Sequence, residues 1–547
     1  MIRVLLIGLG LYVGCIQMLW GQNTIATLEV DDFMEDNGTY PYSFINGERS
    51  ILYKSHDPCL RISEHEFLSI FRPNEVRERQ RKLVLYTALL EEVWTLDLEL
   101  KDDESIFHCY VEGNDIILLS AKYETKFKHY QILVRKIDKV EGTEEAPNIL
   151  LTLKARREEA FGFERSPDDS TFIIYSYLNL VSSQPVRYFM DFQQKNDSPG
   201  YRADRVTDVS YHIFDQSLNK VTADTLSLSP DIPKRTYIMG VWMDNSQRLY
   251  IAEVDKEQIF SVVQVDSRSN TSVRLQYENF PKFWRDEDLY NLHFPPLIGD
   301  QQKLFIPIIT REREPRVGQQ IEEIKVLCFD FEKEEVNQDR KIEVGPSLLV
   351  AVSKAREDWG QDPLEKFDEY LFQDILFTPQ GGIMLILQRY EVEHTFNQLF
   401  TSFTGFYDFL PNGAPALLLE ELLIFTFDPY GNLDKMYNVP THQEVSVPIQ
   451  VLGMHYSFYP DWENEKIYFL MHENEGERFH KPMRTYFREL DLSSGQVTER
   501  TQVFDHKRRY HFFSRPHTVW LNEHIVATMV HVTSSLSTKS FWVTIAR

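Results

Sequence analysis

The fold is decided by two consecutive hairpins in the segment 371–440. The first hairpin reads FQDILF, TPQGG and IMLILQRY (372–390), and the second reads ELLIFTF, DPYGN and LDKMYNV (421–439). In each hairpin, a short turn rich in Pro, Gly or Asn separates two runs of aliphatic and aromatic residues, which is a hairpin signal. The segment therefore predicts a four-stranded antiparallel meander.

The same unit recurs along the chain, and its second strand is the easiest part to locate. Eight polar turns are each followed by an apolar run, and these runs begin near Glu66, Ile116, Thr171, Arg248, Lys303, Ile383, Lys466 and His524. A meander cannot bury both of its faces alone, so repeated meanders must stack, and stacking around an axis gives a β-propeller. We therefore expect an all-β protein, a β-propeller of eight four-stranded antiparallel blades. Seven blades is the alternative if the segment 49–100 is irregular.

A second marker lies at the end of the third strand, where an apolar residue precedes Asp. It occurs six times, at Asp138, Asp215, Asp266, Asp330, Asp428 and Asp491. In the first unit Thr87 stands where the third unit has Asp215. Because Asp at a strand end accepts backbone hydrogen bonds from the turn that it opens, we expect these residues to be structural.

The last unit is one strand short, because the chain ends at Arg547 after the third strand, 540–546. The sequence TIATLEV at 24–30 has the composition of a strand and no partner near it in the chain. If it supplies the missing fourth strand, the two ends of the chain are joined and no sheet edge is left open. We therefore expect the N-terminal strand to close the ring.

One unit carries a motif that is known from other propellers. The sequence SPDDSTFIIYSY at 166–177 resembles the blade motif of TolB-like and WD40-like propellers, in which Ser-Pro-Asp-Gly precedes a strand. The whole run of eight units with its N-terminal segment is similar to uncharacterised secreted propeller proteins of the Bacteroidetes type. The resemblance implies a fold for most of the chain, and it implies no activity or binding residue.

The first 21 residues have the features of a secretory signal peptide. Arg3 precedes the apolar run 4–20, and small-residue cleavage is expected before Gln22. This divides the chain into a signal peptide, 1–21, and a single propeller domain, 22–547, with long insertions on one face. We expect a secreted or periplasmic protein without stable membrane insertion after cleavage.

The net charge of the chain argues against one class of partner, nucleic acids. The full chain has 58 Lys and Arg against 83 Asp and Glu, a net charge of −25. Removal of Arg3 with the signal peptide gives 57 against 83, or −26. An acidic surface repels phosphate backbones, so we do not expect a nucleic acid as partner.

Three cysteines remain, Cys59, Cys109 and Cys328, and they can form at most one disulfide.

The long connections all belong to one side of the expected disc. They join strand two to strand three, or one blade to the next, and in a propeller these two kinds of connection emerge on the same face. Function concentrates in long loops on a rigid scaffold. Basic and aromatic residues in the blade-to-blade connections are the candidate ligand-binding residues: Arg157, Arg235, Arg285, Arg356, Arg509, Trp284 and Trp359. Forked arginine hydrogen bonds would suit a carboxylate or sulfate, although neighbouring carboxylates such as Glu357 could neutralise them.

The sequence has no recognisable catalytic or metal-binding motif, including the nucleophile elbow, the zinc motif His-Glu-x-x-His and the phosphate loop. We therefore expect no cofactor and no metal site, and no catalytic residue can be named. The function that we expect is a binding or assembly module for a glycan, or for an envelope or extracellular protein. The alternative is a hydrolase or lyase acting on a polysaccharide, which would need paired carboxylates near the axis.

Overall fold

The computed structural model describes most of the repeated units and the helix. The described residues are 24–30, 59–71, 80–101, 104–127, 129–154, 161–178, 208–227, 237–254, 259–269, 271–278, 297–299, 302–311, 321–358, 363–364, 367, 370–393, 416–446, 456–474, 483–504, 510–534 and 537–546. They form eight antiparallel sheets, one for each predicted blade. Within these ranges, no helix is both long enough and apolar enough to cross a membrane.

The first four blades each contain four strands in the order of the chain. Blade 1 contains β2 (Cys59–Ser63), β3 (Glu66–Phe71), β4 (Gln80–Thr87) and β5 (Glu92–Glu99). Blade 2 contains β6 (Glu104–Glu112), β7 (Asp115–Glu124), β8 (His129–Asp138) and β9 (Asn148–Lys154). Blade 3 contains β10 (Phe161–Arg165), β11 (Thr171–Leu178), β12 (Asp208–Asp215) and β13 (Lys220–Ser227). Blade 4 contains β14 (Tyr237–Met243), β15 (Arg248–Val254), β16 (Phe260–Asp266) and β17 (Thr271–Tyr277).

The second half of the chain adds a helix and an extra strand to the same plan. Blade 5 contains β18 (Leu297–Gly299), β19 (Lys303–Arg311), β20 (Ile321–Asp330) and β21 (Glu335–Glu343), and helix α1 (Pro346–Asp358) follows it. Blade 6 contains β22 (Tyr370–Phe377), β23 (Ile383–Glu393), β24 (Ala416–Phe427), β25 (Leu433–Val439) and a fifth strand, β26 (Gln443–Ser446), paired with β24. Blade 7 contains β27 (Tyr456–Asp461), β28 (Lys466–Asn474), β29 (Met483–Asp491) and β30 (Thr501–Gln502). Blade 8 contains β31 (Tyr510–Trp520), β32 (Ile525–Ser534), β33 (Ser537–Ala546) and, from the other end of the chain, β1 (Thr24–Val30).

The blade count and the closure are both confirmed. Within the segment 49–100, the described residues 59–71 and 80–99 form the ordinary four-stranded sheet of blade 1, so the alternative of seven blades is wrong. Six of the eight predicted second strands begin at the predicted residue, and the other two are displaced by one position. Strand β1 pairs antiparallel with β33 in a register that joins Thr27 to Val543 and Val30 to Ser540. The two ends of the chain therefore share one sheet, as the missing fourth strand required.

The core of the molecule lies between blades. The described buried residues form eight hydrophobic clusters, and each cluster joins two consecutive blades, including blade 8 with blade 1. Hydrogen bonds also cross all eight interfaces: Trp94 to Lys139, Tyr110 to Gln216, Asp168 to Asn245, Tyr277 to Gln338, Arg340 to Pro429, Tyr437 to Leu492, Trp520 to Ser457 and Asn522 to Glu64. Each sheet thus buries its two faces against its two neighbours, which is the reason that the meanders form a ring.

The disc has two unlike faces. We call the face with the connections between strands two and three, and between blades, the insertion face, and the opposite face the turn face. The repeated Asp residues lie on the turn face and bond the turn that follows. Asp138 accepts hydrogen bonds from the N–H groups of Val140 (2.8 Å) and Glu141 (2.7 Å). In blade 1, Thr87 accepts from the N–H groups of Leu89 and Glu91, both at 3.2 Å. The predicted structural role of these residues is confirmed.

Two insertions contain more regular structure than the sequence analysis expected. The connection 346–369 begins with helix α1, and strands β23 and β24 continue to Glu393 and back to Ala416. In this extension Tyr390 pairs with Leu419 and Val392 with Leu417, and β26 pairs with the same part of β24. The alternation of apolar and acidic residues at 390–393 has the period of two that a strand requires. Blade 6 therefore extends further on the insertion face than the repeat alone predicts.

Candidate functional site

Only one of the seven candidate ligand-binding residues lies in the described part of the chain. Arg356 belongs to the last turn of α1. The other six, Arg157, Arg235, Arg285, Arg509, Trp284 and Trp359, lie outside the described residues. The site is therefore built from Arg356 and the side chains that it contacts.

Arg356 points into the protein and is 4% exposed. Its Nη1 donates to Oε2 of Glu420 at 3.1 Å and also forms an ion pair with Glu421, while Nη2 lies 3.5 Å from Oε1 of Glu420. Arg389 forms a further ion pair with Glu420. The guanidinium therefore binds carboxylates of the chain itself. The role predicted for Arg356, binding of an anionic ligand, stays a prediction.

A β-bulge explains how two consecutive Glu side chains reach one guanidinium. In the register of β23 and β24, Gln388 pairs with Leu422 and Tyr390 pairs with Leu419, so Arg389 alone lies opposite Glu420 and Glu421. In a regular strand, consecutive side chains point to opposite faces. A bulge inserts one extra residue and re-aims a side chain, which lets both carboxylates converge on Arg356. Bulges of this kind are over-represented next to functional sites.

The innermost strand of blade 6 adds a phenol to the cluster. The hydroxyl of Tyr370, the first residue of β22, donates to Oε1 of Glu421 at 2.6 Å. The Tyr370 ring stacks on Phe367, with ring centroids 4.4 Å apart. Burial, and then the charge of the Glu421 carboxylate, raise the pKa of Tyr370 well above its ordinary value. Tyr370 is therefore a neutral hydrogen-bond donor that orients Glu421.

These five side chains, which we call the bulge cluster, are Tyr370, Arg356, Arg389, Glu420 and Glu421. The two guanidinium groups balance the two carboxylates, and all contacts lie near the insertion-face end of blade 6. A carboxylate pair that holds a guanidinium can recognise a positively charged group, because charge-assisted hydrogen bonds to a planar fork are strong and directional. Here the pair binds Arg356 and Arg389, so the cluster is a charge-balanced ion-pair network that joins helix α1 to blade 6.

In three other blades, a buried Glu whose strand position is near the same face binds Arg. In blade 2, Glu104 binds Arg135 (Nη2 to Oε1, 2.9 Å), and in blade 7, Glu473 binds both Arg488 (2.8 Å) and Arg500 (3.1 Å). Glu253 and Arg274 form an ion pair in blade 4. These pairs were not predicted from the sequence, although one signal for them was present. Arg135 and Arg488 each lie three residues before a repeated Asp, in RKID and RELD.

No group of three or more His, Cys, Asp or Glu side chains in the described ranges is placed to hold a metal ion. Cys59, Cys109 and Cys328 are all buried, and none forms a disulfide. Burial raises the pKa of the Cys109 thiol, and burial raises that of Cys328 to about 11. The Cys109 and Cys328 thiols are therefore held in the protonated, unreactive form.

Comparisons with known proteins concern the fold. No family model matches the chain, and no curated protein matches it. Similar solved structures include dipeptidyl peptidase 4 of Porphyromonas gingivalis (TM-score 0.36, 10% identity, 86% of this chain and 56% of that chain). The WD40 domain of SCAP from fission yeast is similar with a TM-score of 0.34 and 8% identity, covering 90% of each chain. The β-propeller domain of the Trilobed protease from Pyrococcus furiosus is similar with a TM-score of 0.32 and 8% identity, covering 81% of this chain and 93% of that chain.

This chain spans just over half the length of the peptidases that it matches, 56% and 53%. These neighbours are propeller proteins or contain a propeller domain.

Proposed function

We propose that the protein is a secreted or periplasmic binding or assembly module that uses its insertion face. The observation that carries the proposal is the closed ring of eight blades, in which every connection between strands two and three and between blades starts from that one face. Hydrogen bonds and apolar clusters at all eight interfaces hold this platform rigid. A rigid scaffold that presents many connections on one side suits recognition of a large ligand.

A glycan or a partner protein is the ligand class that this face fits best. The described side chains that are exposed there include Phe127, 64% exposed, with the Nζ of Lys126 5.3 Å from its ring centroid. An exposed aromatic ring beside a cation suits stacking on a sugar or burial in a protein interface. The export of the chain, through the segment 1–21, is part of the proposal and agrees with ligands of the cell envelope or the extracellular space.

The alternative, a polysaccharide hydrolase or lyase, would need reactive carboxylates that converge from several innermost strands. The described carboxylate pair, Glu420 and Glu421, belongs instead to the third strand of blade 6, and its members hold Arg356 and Arg389. Glu421 is 0% exposed. This arrangement favours recognition over hydrolysis.

The test compares ligand retention by two variants, each of which removes one exposed aromatic side chain from one face. Phe127→Ala removes an exposed ring from the insertion face, and Tyr430→Ala removes one that is 85% exposed on the turn face. We expect Phe127→Ala to weaken retention on a glycan array or in pull-downs with envelope extracts, and Tyr430→Ala to leave it unchanged. The combined change of Arg157, Arg235 and Arg509 to Ala tests the predicted arginine ring with anionic glycans. Equal retention by all these variants would contradict the assignment of the insertion face.

A further inference from the structure

We propose that the outer strand of blade 2, β9 (Asn148–Lys154), is a pairing surface for β9 of a second copy of this chain. Two discs would then form a symmetric dimer through one continuous antiparallel sheet. The inference goes beyond the proposed function and does not depend on it, because it concerns the rim of the disc, whereas ligand binding is assigned to the insertion face.

The first observation is that β9 lacks the charged residues that protect other outer strands. An outer strand has an unpaired edge, and a charge within the strand discourages pairing with another chain. The outer strand of blade 7, β30, has only two residues. The six remaining outer strands each have a charged residue between their first and last residues: Glu29, Asp97, Asp224, Arg274, Arg340 and Lys435. In β9, the residues from Ile149 to Leu153 are all uncharged, so this edge is the least protected of the described outer edges.

A β-bulge is another device that blunts an edge, and it does not set β9 apart. The bulge of β9 lies at Leu150, since Ile149 pairs with Leu133 and Leu151 with Ile132. Register shifts also occur where β5, β13, β21 and β25 pair with their neighbours. Charge is therefore the feature in which β9 differs from these strands.

Exposed apolar side chains support the same surface. Nine large hydrophobic side chains in the described ranges are exposed, and three of them belong to blade 2: Phe127 at the insertion face, and Val140 and Ile149 at the rim. Ile149, within β9, is 59% exposed, and Val140, in the turn between β8 and β9, is 63% exposed. Leu150 and Leu151 are only partly buried against the core between blades 2 and 3. Apolar surface beside an unpaired edge is typical of an interaction surface.

The charges at the two ends of this edge favour a second copy as partner and antiparallel pairing. Glu145 is exposed and precedes β9 on the same edge, where its N–H donates to the backbone oxygen of Lys136 at 2.8 Å. Lys154 is the last residue of β9. Antiparallel pairing sets the acidic end of each copy toward the basic end of the other, and opposite charges across strands are favourable. The edge is thus self-complementary, as a two-fold interface requires.

The net charge of the chain opposes association, because two copies that each carry −25 repel each other. At physiological ionic strength the Debye length is about 8 Å, so charges farther apart than this are largely screened. Hydrogen bonds between paired strands are direct contacts and are screened much less. The oligomeric state is therefore measured at physiological ionic strength.

The experiment is sedimentation of the purified full chain over a range of concentrations, for which we expect a monomer–dimer equilibrium. Ile149→Lys places a charge within the edge and should weaken dimerisation at least about tenfold. Val221→Lys is the matched control, because Val221 is 44% exposed in β13, the outer strand of blade 3, and this change should leave the equilibrium as it is. Far-UV circular dichroism checks that both variants are folded. A wild-type monomer at high micromolar concentration, or equal losses in the two variants, would overturn the proposal.

An exchange of charges tests the direction of pairing. Glu145→Lys and Lys154→Glu should each weaken dimerisation by about two- to tenfold, because each brings like charges together at both ends of the symmetric contact. The double variant should dimerise like the wild type, since the two ends of its edge are again opposite in charge. A double variant as weak as the single variants would rule out antiparallel pairing of β9.

Hydrogen exchange locates the contact. The amides of 148–154 should gain protection as the protein concentration rises, whereas those of β13 (Lys220–Ser227) should not. Full protection of every amide of 148–154 at the lowest concentration would show that another part of the chain covers the edge, which would also overturn the proposal. Ligand retention is measured separately with Phe127→Ala, so either proposal can fail alone.

Discussion

Replacement of Arg135 by Met should destabilise blade 2 by leaving a buried charge without its counter-ion. Arg135 is 3% exposed, and it contacts Glu104 through Nε (3.3 Å) and through Nη2 (2.9 and 3.1 Å). In the variant, Glu104 keeps two neutral donors, the hydroxyl of Ser120 (2.6 Å) and the N–H of Lys101 (2.8 Å). Loss of one partner from a buried pair costs about 3–5 kcal/mol in the free energy of unfolding. We expect a loss of that size.

The assay is urea unfolding followed by tryptophan fluorescence and far-UV circular dichroism. The double variant Arg135→Met with Glu104→Leu should recover roughly 2 kcal/mol of the loss, because an apolar pair of similar volume avoids the buried charge. Arg488→Met is the matched control, and it should cost less than Arg135→Met because Arg500 still binds Glu473. A double variant as unstable as the single variant, or a larger loss in Arg488→Met, would refute the reasoning.

Three further predictions concern the turn face, the closure and the thiols. The hydroxyl of Ser493 and the N–H of Ser494 lower the pKa of Asp491 to about 2. Because the folded-state pKa lies below the unfolded value of about 3.9, the Asp491 carboxylate should stabilise the protein above pH 3.9 and lose this effect as the pH falls toward 2. The urea midpoints of wild type and Asp491→Asn should therefore differ at pH 5 and converge as the pH is lowered to 2. Trp542→Ala should lower the free energy of unfolding by about 3–5 kcal/mol, because the side chain is fully buried and its ring centroid lies 4.8 Å from that of Phe67 across the interface of blades 8 and 1. A thermal unfolding midpoint at or above that of the wild type would contradict this. The buried Cys328 thiol, with its pKa raised to about 11, should not react with a disulfide reagent until urea unfolds the chain.

The architecture could be predicted from sequence because the repeat signals are local. A polar turn before an apolar run fixes the second strand, and Asp after an apolar residue fixes the end of the third. The bulge cluster could not be predicted in the same way. It depends on a register shift between Gln388 and Tyr390, and on a helix that carries Arg356 to blade 6 from a connection between blades. Both are properties of pairing between distant segments. The apolar spacing of Leu348 and Val352, after Pro346 at the first helical position, was the available signal for that helix.

The two faces of the disc use the two acidic residue types differently, and side-chain length explains why. On the turn face the carboxylate belongs to Asp, whose short side chain reaches the N–H groups of its own turn, as Asp138 reaches Val140 at 2.8 Å. Near the insertion face the buried carboxylates described above belong to Glu, whose extra methylene lets it reach an Arg on another strand, as Glu104 reaches Arg135. Most of these Asp contacts stay within one turn, although Asp138 also accepts a hydrogen bond from Asn114 and Asp330 pairs with Lys303. The Glu–Arg pairs join separate strands, and in blade 6 they join the helix to the sheet as well. The Glu–Arg pairs near the insertion face therefore tie neighbouring strands, and in blade 6 a helix, into the scaffold from which the long connections start.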